Sequence, residues 1–405
     1  MNTGDTAFML IASALVMLMT PGLALFYGGL VRSKNVLGTI MHSFICLGIV
    51  SIIWVVYGYS LAFGPDIGGL TGNLDWMWLK GVGTNVGPYS DTIPDLLFCA
   101  FQLMFAILTP ALITGGFAER MKFSAFLIFT VLWSSLIYMP ICHWVWGGGW
   151  LGSLGALDFA GGTVIHINCG FAALAAAIII GKRKGWGRGE SFHPNNLPMT
   201  VLGAGILWFG WFGFNAGSAL AADGTAALAF FTTQVATGAA ALSWIIAEWL
   251  LRGKPTTLGA ASGAVAGLVA ITPAAGFVGP ISAVIIGLVA GVLCYLAVLA
   301  KSRLGYDDAL DVVGIHGIGG IWGALATGLF ASIAVNPGGA NGLFFGNPHQ
   351  FVIQATGVGA TMAYSFIGSL IILKIIDVAV GLRVTTEEEV QGLDITQHSE
   401  IGYSL

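Results

Sequence analysis

The chain has 405 residues, 56% of them hydrophobic and only 8% charged, with a formal net charge of −4. A soluble domain of this size needs about 25% charged residues to cover its surface, so a mean hydropathy of +0.87 excludes an ordinary water-soluble globule. The net charge itself says little about partners, and no nucleic-acid partner is expected.

Apolar runs long enough to cross a hydrocarbon core of about 30 Å as helices recur along the chain. In order, they predict eleven spans at roughly 7–31, 36–63, 95–118, 123–142, 158–181, 198–220, 226–251, 257–276, 281–300, 311–333 and 351–380. The first has neither a basic leader nor a small-residue cleavage site, so it is expected to be retained rather than removed as a signal peptide. Sixty glycines suit helices that approach closely in lipid, and GxxxG spacings stand at Gly263/Gly267 and Gly287/Gly291. The five cysteines (Cys46, Cys99, Cys142, Cys169 and Cys294) lie in or beside apolar runs without a CxxC pair, which reads as packing.

With an external N-terminus, fourteen of the fifteen Lys and Arg residues fall on one side and only Lys80 on the other. The excess of positive charge marks the cytoplasmic side, so the expected orientation is N-terminus outside and C-terminus inside. The expected fold class is an all-α polytopic membrane protein. Five spans per half is an odd number, so the halves run in opposite directions, and inverted repeats of this kind place a substrate path at their interface. The expected organisation is a transmembrane domain over 1–380, with repeat one at about 7–181, repeat two at about 198–333 and a last helix at about 351–380. A cytoplasmic tail over 381–405 completes it. A weak internal match, Asp158 to His166 in the fifth span and Asp311 to His316 in the tenth, supports the two halves, although the spacings are eight and five.

Ionisable groups deep in a membrane are costly and usually face a bundle interior or pathway. His166 and His316 are such groups, in corresponding spans. Buried imidazoles favour the neutral form, each with one donor and one acceptor nitrogen, so a pair can share a hydrogen bond and line a pore. The alternative is two separate core histidines, each satisfied by a carbonyl. A metal centre is not expected, because no third histidine or carboxylate lies near the middle of either span and no HExxH or HxxxH spacing occurs.

Aromatic residues gather at the outer ends of three spans: Phe101, Phe105, His143, Trp144, Trp146, Trp150, Trp211 and Phe214, with Ser218 beside them. Aromatic faces and a hydroxyl can hold a small cation; an interfacial aromatic belt is the plainer reading. Asp158 reads as a helix cap or as a support of that cation site, and Asp311 as a cap. The basic loop 181–190 reads as a topology signal that can also dock an acidic partner.

These residues fall in longer motifs. Gly22-Leu-Ala-Leu-Phe-Tyr-Gly-Gly-Leu-Val-Arg32, Asp158-Phe-Ala-Gly-Gly-Thr-Val-Ile-His-Ile-Asn168, Gly210-Trp-Phe-Gly-Phe-Asn-Ala-Gly-Ser218, Gly314-Ile-His-Gly-Ile-Gly-Gly320 and Val380-Gly-Leu-Arg-Val384 closely resemble the ammonium transporter (Amt/Mep/Rh) family, on its bacterial and archaeal Amt branch. The resemblance implies eleven spans in two inverted repeats, a trimer with one pore per subunit, and carriage of ammonium or ammonia across the cell membrane. It implies twin pore histidines at His166 and His316, and a gate of stacked phenylalanines at Phe105 and Phe214. It also implies a recruiting site at Phe105, Trp146 and Ser218 shaped by Asp158, and a PII-type signalling protein at the cytoplasmic face. No cofactor is implied. An ammonium sensor that conducts little is the rival reading. A membrane enzyme lacks the nucleophile and metal sets, and a water channel would need an NPA motif in each half, whereas Asn336-Pro and Asn347-Pro share one loop.

Overall fold

The computed structural model describes residues 1–188, 190 and 192–403. Gly189 of the basic loop and the last two residues of the expected tail lie outside the described residues. Among those described, ten helices are long and apolar enough to cross a membrane: α1 (Thr3–Leu30), α2 (Ser33–Phe63), α3 (Asp95–Gly116), α4 (Phe123–Leu154), α5 (Gly162–Ile180), α6 (Leu197–Gly217), α7 (Gly224–Arg252), α9 (Pro280–Leu304), α10 (Val313–Phe330) and α11 (Pro348–Val380). The expected eighth span, 257–276, is helical only over Thr257–Ile271, here α8. Fifteen residues rise about 22 Å, short of the ~30 Å hydrocarbon core. Pro273 cannot donate to a continuing ladder, and the chain leaves the helix through a turn closed by Ala274 N–H on the Ile271 carbonyl at 2.9 Å. Every residue of α8 from Gly263 to Ile271 is buried, so the backbone of that stretch is enclosed by neighbouring helices.

The GxxxG spacings explain that enclosure. A Cβ on Gly263 would stand 2.6 Å from Trp244 Cβ, and one on Gly267 2.7 Å from Ala240 Cβ. A Cβ on Gly287 or Gly291 would stand 2.2–2.3 Å from the carbonyl oxygens of Ala236 and Ala240. Both pairs therefore grip one face of α7, α8 from one side and α9 from the other, at distances only hydrogen permits. All five cysteines are free and buried, as packing residues should be.

The two ends of the bundle differ. At one end the α2–α3 connection folds into two short hairpins, Asp66–Ile67 with Thr71–Gly72 and Val86–Gly87 with Ser90–Pro94. His143 belongs to this scaffold: its ring lies between the Ala62 carbonyl (3.0 Å) and Asp66 Oδ1 (2.9 Å). At the other, basic end, Arg183 forks onto Asp307 at 2.8 and 2.9 Å and reaches Glu119 at 3.1 Å. Arg32 donates its backbone N–H to Glu119 at 2.7 Å. Burial raises the Glu119 pKa, but the Arg183 and Arg32 guanidinium groups outweigh it and hold the carboxyl below its ordinary value. Arg120, wholly buried, is lowered to about 10 by that burial and donates to carbonyls of Gly116, Ala118 and Gly181. The basic loop is thus partly an internal network: Arg183 turns inward instead of facing solvent.

The tail forms two short helices, α12 (Thr386–Gln391) and α13 (Leu393–His398), folded back on this end. Arg383 binds Glu389 at 2.7 Å and the Ile180 carbonyl at 3.0 Å, Lys34 donates to the Val390 carbonyl at 2.6 Å, and Asp394 accepts from Gly38 N–H at 2.8 Å.

Candidate functional site

Two of the spans, α5 and α10, begin irregularly. The first turns of α5 and α10, Gly162–Ile167 and Val313–Gly317, are wound as π-helix, with His166 N–H reaching back five residues to the Gly161 carbonyl at 3.1 Å. Such widened turns often mark functional positions. They carry the two histidines, which face each other across the centre. His166 Nδ1 and His316 Nδ1 lie 3.2 Å apart, with ring centroids at 5.3 Å, and both residues are buried. Two ring nitrogens at that distance need one N–H facing one lone pair, so at least one ring is neutral there. The approach depends on glycine: a Cβ on Gly170 would stand 2.4 Å from the Gly317 backbone. Of the two readings open from sequence, the geometry supports a shared pair and not two separately satisfied rings.

Above His166, Trp211 and Phe214 stack nearly parallel to its ring, at 5.4 and 6.1 Å and at 24° and 14°. Trp211 is fixed by its indole N–H on Thr272 Oγ1 at 2.9 Å. Phe214 meets Phe105 edge to face at 4.5 Å and 82°. Beyond that pair opens a cavity of about 310 Å³ lined by Tyr89, Phe98, Gln102, Phe105, Val145, Trp146, Phe159, Ser218 and Leu220. The Ser218 hydroxyl donates to the Phe214 carbonyl at 2.9 Å, which leaves its oxygen lone pairs free to accept. Six of the seven expected site residues therefore share one line: mouth (Trp146, Phe105, Ser218), gate (Phe105, Phe214), histidines.

Asp158 is the seventh, and it plays a different part from a wall of the mouth. Its Oδ1 accepts from Gly161 N–H (2.8 Å) and Gly162 N–H (2.6 Å). Its Oδ2 accepts from Thr163 N–H (2.8 Å), Val164 N–H (3.2 Å) and the Thr163 hydroxyl. The carboxylate is consumed in capping the first turn of α5, and its own backbone carbonyl anchors the Trp146 indole N–H at 2.8 Å.

Two participants escaped sequence reasoning. The counterpart of Asp158 in the second half is Asp308, not Asp311. Asp308, buried, accepts from Val313 N–H at 2.7 Å at the start of α10, whereas Asp311 has a left-handed φ of 64° and turns its side chain to Lys301. The signal was present: Asp158 to His166 and Asp308 to His316 are both eight residues. Burial pushes Asp308 up to about 6, against the pull of Lys301. The second is Cys169, one turn along α5. Its Sγ and the ring nitrogens of His166 and His316 all lie within 4.8 Å of one another. Counting only histidines and carboxylates had passed over a thiol.

Together these features define a polytopic helical membrane protein in which an aromatic mouth leads to a buried pair of histidines. The chain belongs to the Ammonium Transporter Family, which it matches over residues 7–403. It is 56% identical over 404 residues to the ammonium transporter of Bacillus subtilis (strain 168), covering 100% of this chain and 99% of that relative. It is 50% identical over 404 residues to ammonium transporter Amt1 of Archaeoglobus fulgidus, covering 100% of both. The solved structure of a Sensor Amt Protein superposes with a TM-score of 0.90 at 31% identity, covering 98% of each chain. The resemblance read from the motifs is borne out, with bacterial and archaeal relatives alike.

Proposed function

We propose that this protein carries ammonium across the cell membrane, recruiting NH₄⁺ at the mouth and passing NH₃ along the twin histidines. The observation that carries the reading is the 3.2 Å contact between two buried imidazoles directly behind an aromatic gate. At the mouth, the Trp146 and Phe105 faces attract a cation and the Ser218 oxygen accepts one N–H, replacing part of its water shell. Further in, a bare cation among neutral rings and apolar walls is costly. Ammonium can avoid that cost by leaving its proton behind; potassium cannot. If the proton crosses separately, charge moves, and the membrane potential drives uptake by about 2.3 kcal/mol per 100 mV.

On proteoliposomes, ammonium is expected to elicit a saturable inward current and equal potassium very little. Trp146→Leu removes a cation–π contact of about 0.5–2 kcal/mol, so apparent affinity should fall about 2- to 30-fold while assembly is spared. Ser218→Ala should act in the same direction. Potassium currents of equal size would sink the selectivity argument. A collapse of folded yield with unchanged affinity would return the mouth to a plain aromatic belt.

Membership of the family supports three further proposals: α8 counts as an eleventh, short span of two inverted repeats; the subunits form a homotrimer; and the N-terminus is external. The rival role, a sensor with little net transport, draws support from the likeness to the Sensor Amt Protein, and the same currents decide between them. On the basic end, a groove of about 750 Å³ lined by Lys182, Arg183, Lys184, Arg188, Arg383 and Glu389 runs beside the folded-back tail. It suits an acidic surface on a docked partner, which we read as a PII-type trimer. Pull-down of purified PII protein in each effector state is expected to show binding in one of them, and its failure in all would remove this partner.

A further inference from the structure

The grouping of His166, Cys169 and His316 is, among the described residues, the one cluster of three side chains placed to hold a metal ion. We propose that these three side chains form a high-affinity site for a soft monovalent cation, Ag⁺ or Cu⁺, that plugs the path at the histidines; blockade, as distinct from binding, rests on the transport reading above.

The chemistry fits in three respects. Thiolate and imidazole together select soft, filled-shell ions over the hard cations of water and cytosol. Taking zinc's metal–sulfur and metal–nitrogen bonds of about 2.3 and 2.0 Å as a guide, angles from tetrahedral to linear set donor separations of about 3.3–4.3 Å. The three donors already lie within 4.8 Å, so small side-chain adjustments close the site. His166 Nε2, fully buried, has no hydrogen-bond partner, so the ring can turn either nitrogen to the metal and the only bond given up is the one between the two Nδ1 atoms.

Charge is the third respect. Binding forms the metal–sulfur bond as the Cys169 S–H proton leaves to water, and each neutral ring keeps its single proton on the nitrogen turned away from the metal. One positive charge enters and one leaves, and no oxidant or reductant takes part. The filled site is as neutral as the empty one, so the large penalty for an unpaired charge in an apolar interior does not arise. Ammonium meets the same penalty and sheds its own proton; a silver ion is compensated by the thiol instead. A neutral metal thiolate has no comparable way onward, and it sits where the two histidines must be free.

The probe is silver nitrate in chloride-free buffer, applied to the purified full-length protein and to proteoliposomes. One silver per subunit is expected by elemental analysis after desalting, along with block of the ammonium current. In Cys169→Ser, which keeps volume, and Cys169→Ala, the site-bound silver should be lost. The half-blocking concentration, measured against each variant's own uninhibited current, should rise at least about tenfold with the soft ligand gone. The other four cysteines are present in all three proteins and act as internal controls. Equal silver content and equal block in wild type and both variants would overturn the site. Silver that depends on Cys169 but leaves the current untouched would uphold the site and overturn the conduction path through the histidines.

Discussion

Alanine at His166 or at His316 is expected to leave a folded protein whose ammonium transport is strongly altered. If the rings only filled the core, each substitution would open a cavity costing about 2–5 kcal/mol of stability and leave transport per folded molecule intact. The geometry argues otherwise. The close approach of α5 and α10 is made by glycine backbone, Gly170 against Gly317, and does not rest on the imidazoles. What the rings contribute is the Nδ1–Nδ1 hydrogen bond and, for His166, the stack beneath Trp211 and Phe214. Losing one hydrogen bond of about 0.5–1.5 kcal/mol in the path shifts transport about 2- to 13-fold. It also leaves room for water, through which other cations can follow. Because the pair acts as a unit, the double variant should be no worse than the more affected single one. Melting temperature and proteoliposome current on the same preparations separate the cases. Normal currents in both singles and the double would show that the chemistry lies elsewhere.

Much of this arrangement was legible from residue order, for identifiable reasons. Span placement follows from hydropathy, which depends only on composition over some twenty residues. The GxxxG pairs and the two intramembrane histidines were visible because lipid makes each of them exceptional. What escaped was whatever depends on where a side chain turns. Arg183 sits in a run of basic residues that reads as a topology signal, yet it is buried against Asp307 and Glu119. Asp311 looked like the entry acid of the tenth span because it borders the apolar run, but the widened first turn of α10 is capped from Asp308 across a left-handed residue. Hydropathy carried the eighth span past Pro273 because proline barely changes an apolar average, while it ends the hydrogen-bond ladder outright. Cys169 looked like any small packing residue until the crossing of two helices set it beside a histidine 147 positions away.

Asp158→Asn is expected to damage folding before it damages recruitment, and this separates a cap from a cation site. The carboxylate receives four backbone N–H groups and one hydroxyl, divided between its two oxygens. An asparagine keeps one oxygen, enough for Gly161 and Gly162, but turns an NH₂ group toward Thr163 and Val164, donor against donor. Each buried donor left without an acceptor costs about 1–3 kcal/mol, so a loss of roughly 2–6 kcal/mol is expected for the two, with Asp158→Ala worse still. The mouth should shift as a consequence, because the Trp146 indole hangs on the Asp158 carbonyl. Asp308 supplies the control within the same molecule. Its Oδ2 serves Val313, while its Oδ1 is buried without a partner, so an asparagine there can keep the bond that matters and place its NH₂ where no donor opposes it. Asp308→Asn should therefore melt close to wild type while Asp158→Asn melts well below it. Melting curves in detergent, set beside the concentration dependence of the current, provide the comparison. If Asp158→Asn instead melts like wild type and needs far more ammonium for half-maximal current, the buried charge acts on the cation directly and the capping account is wrong.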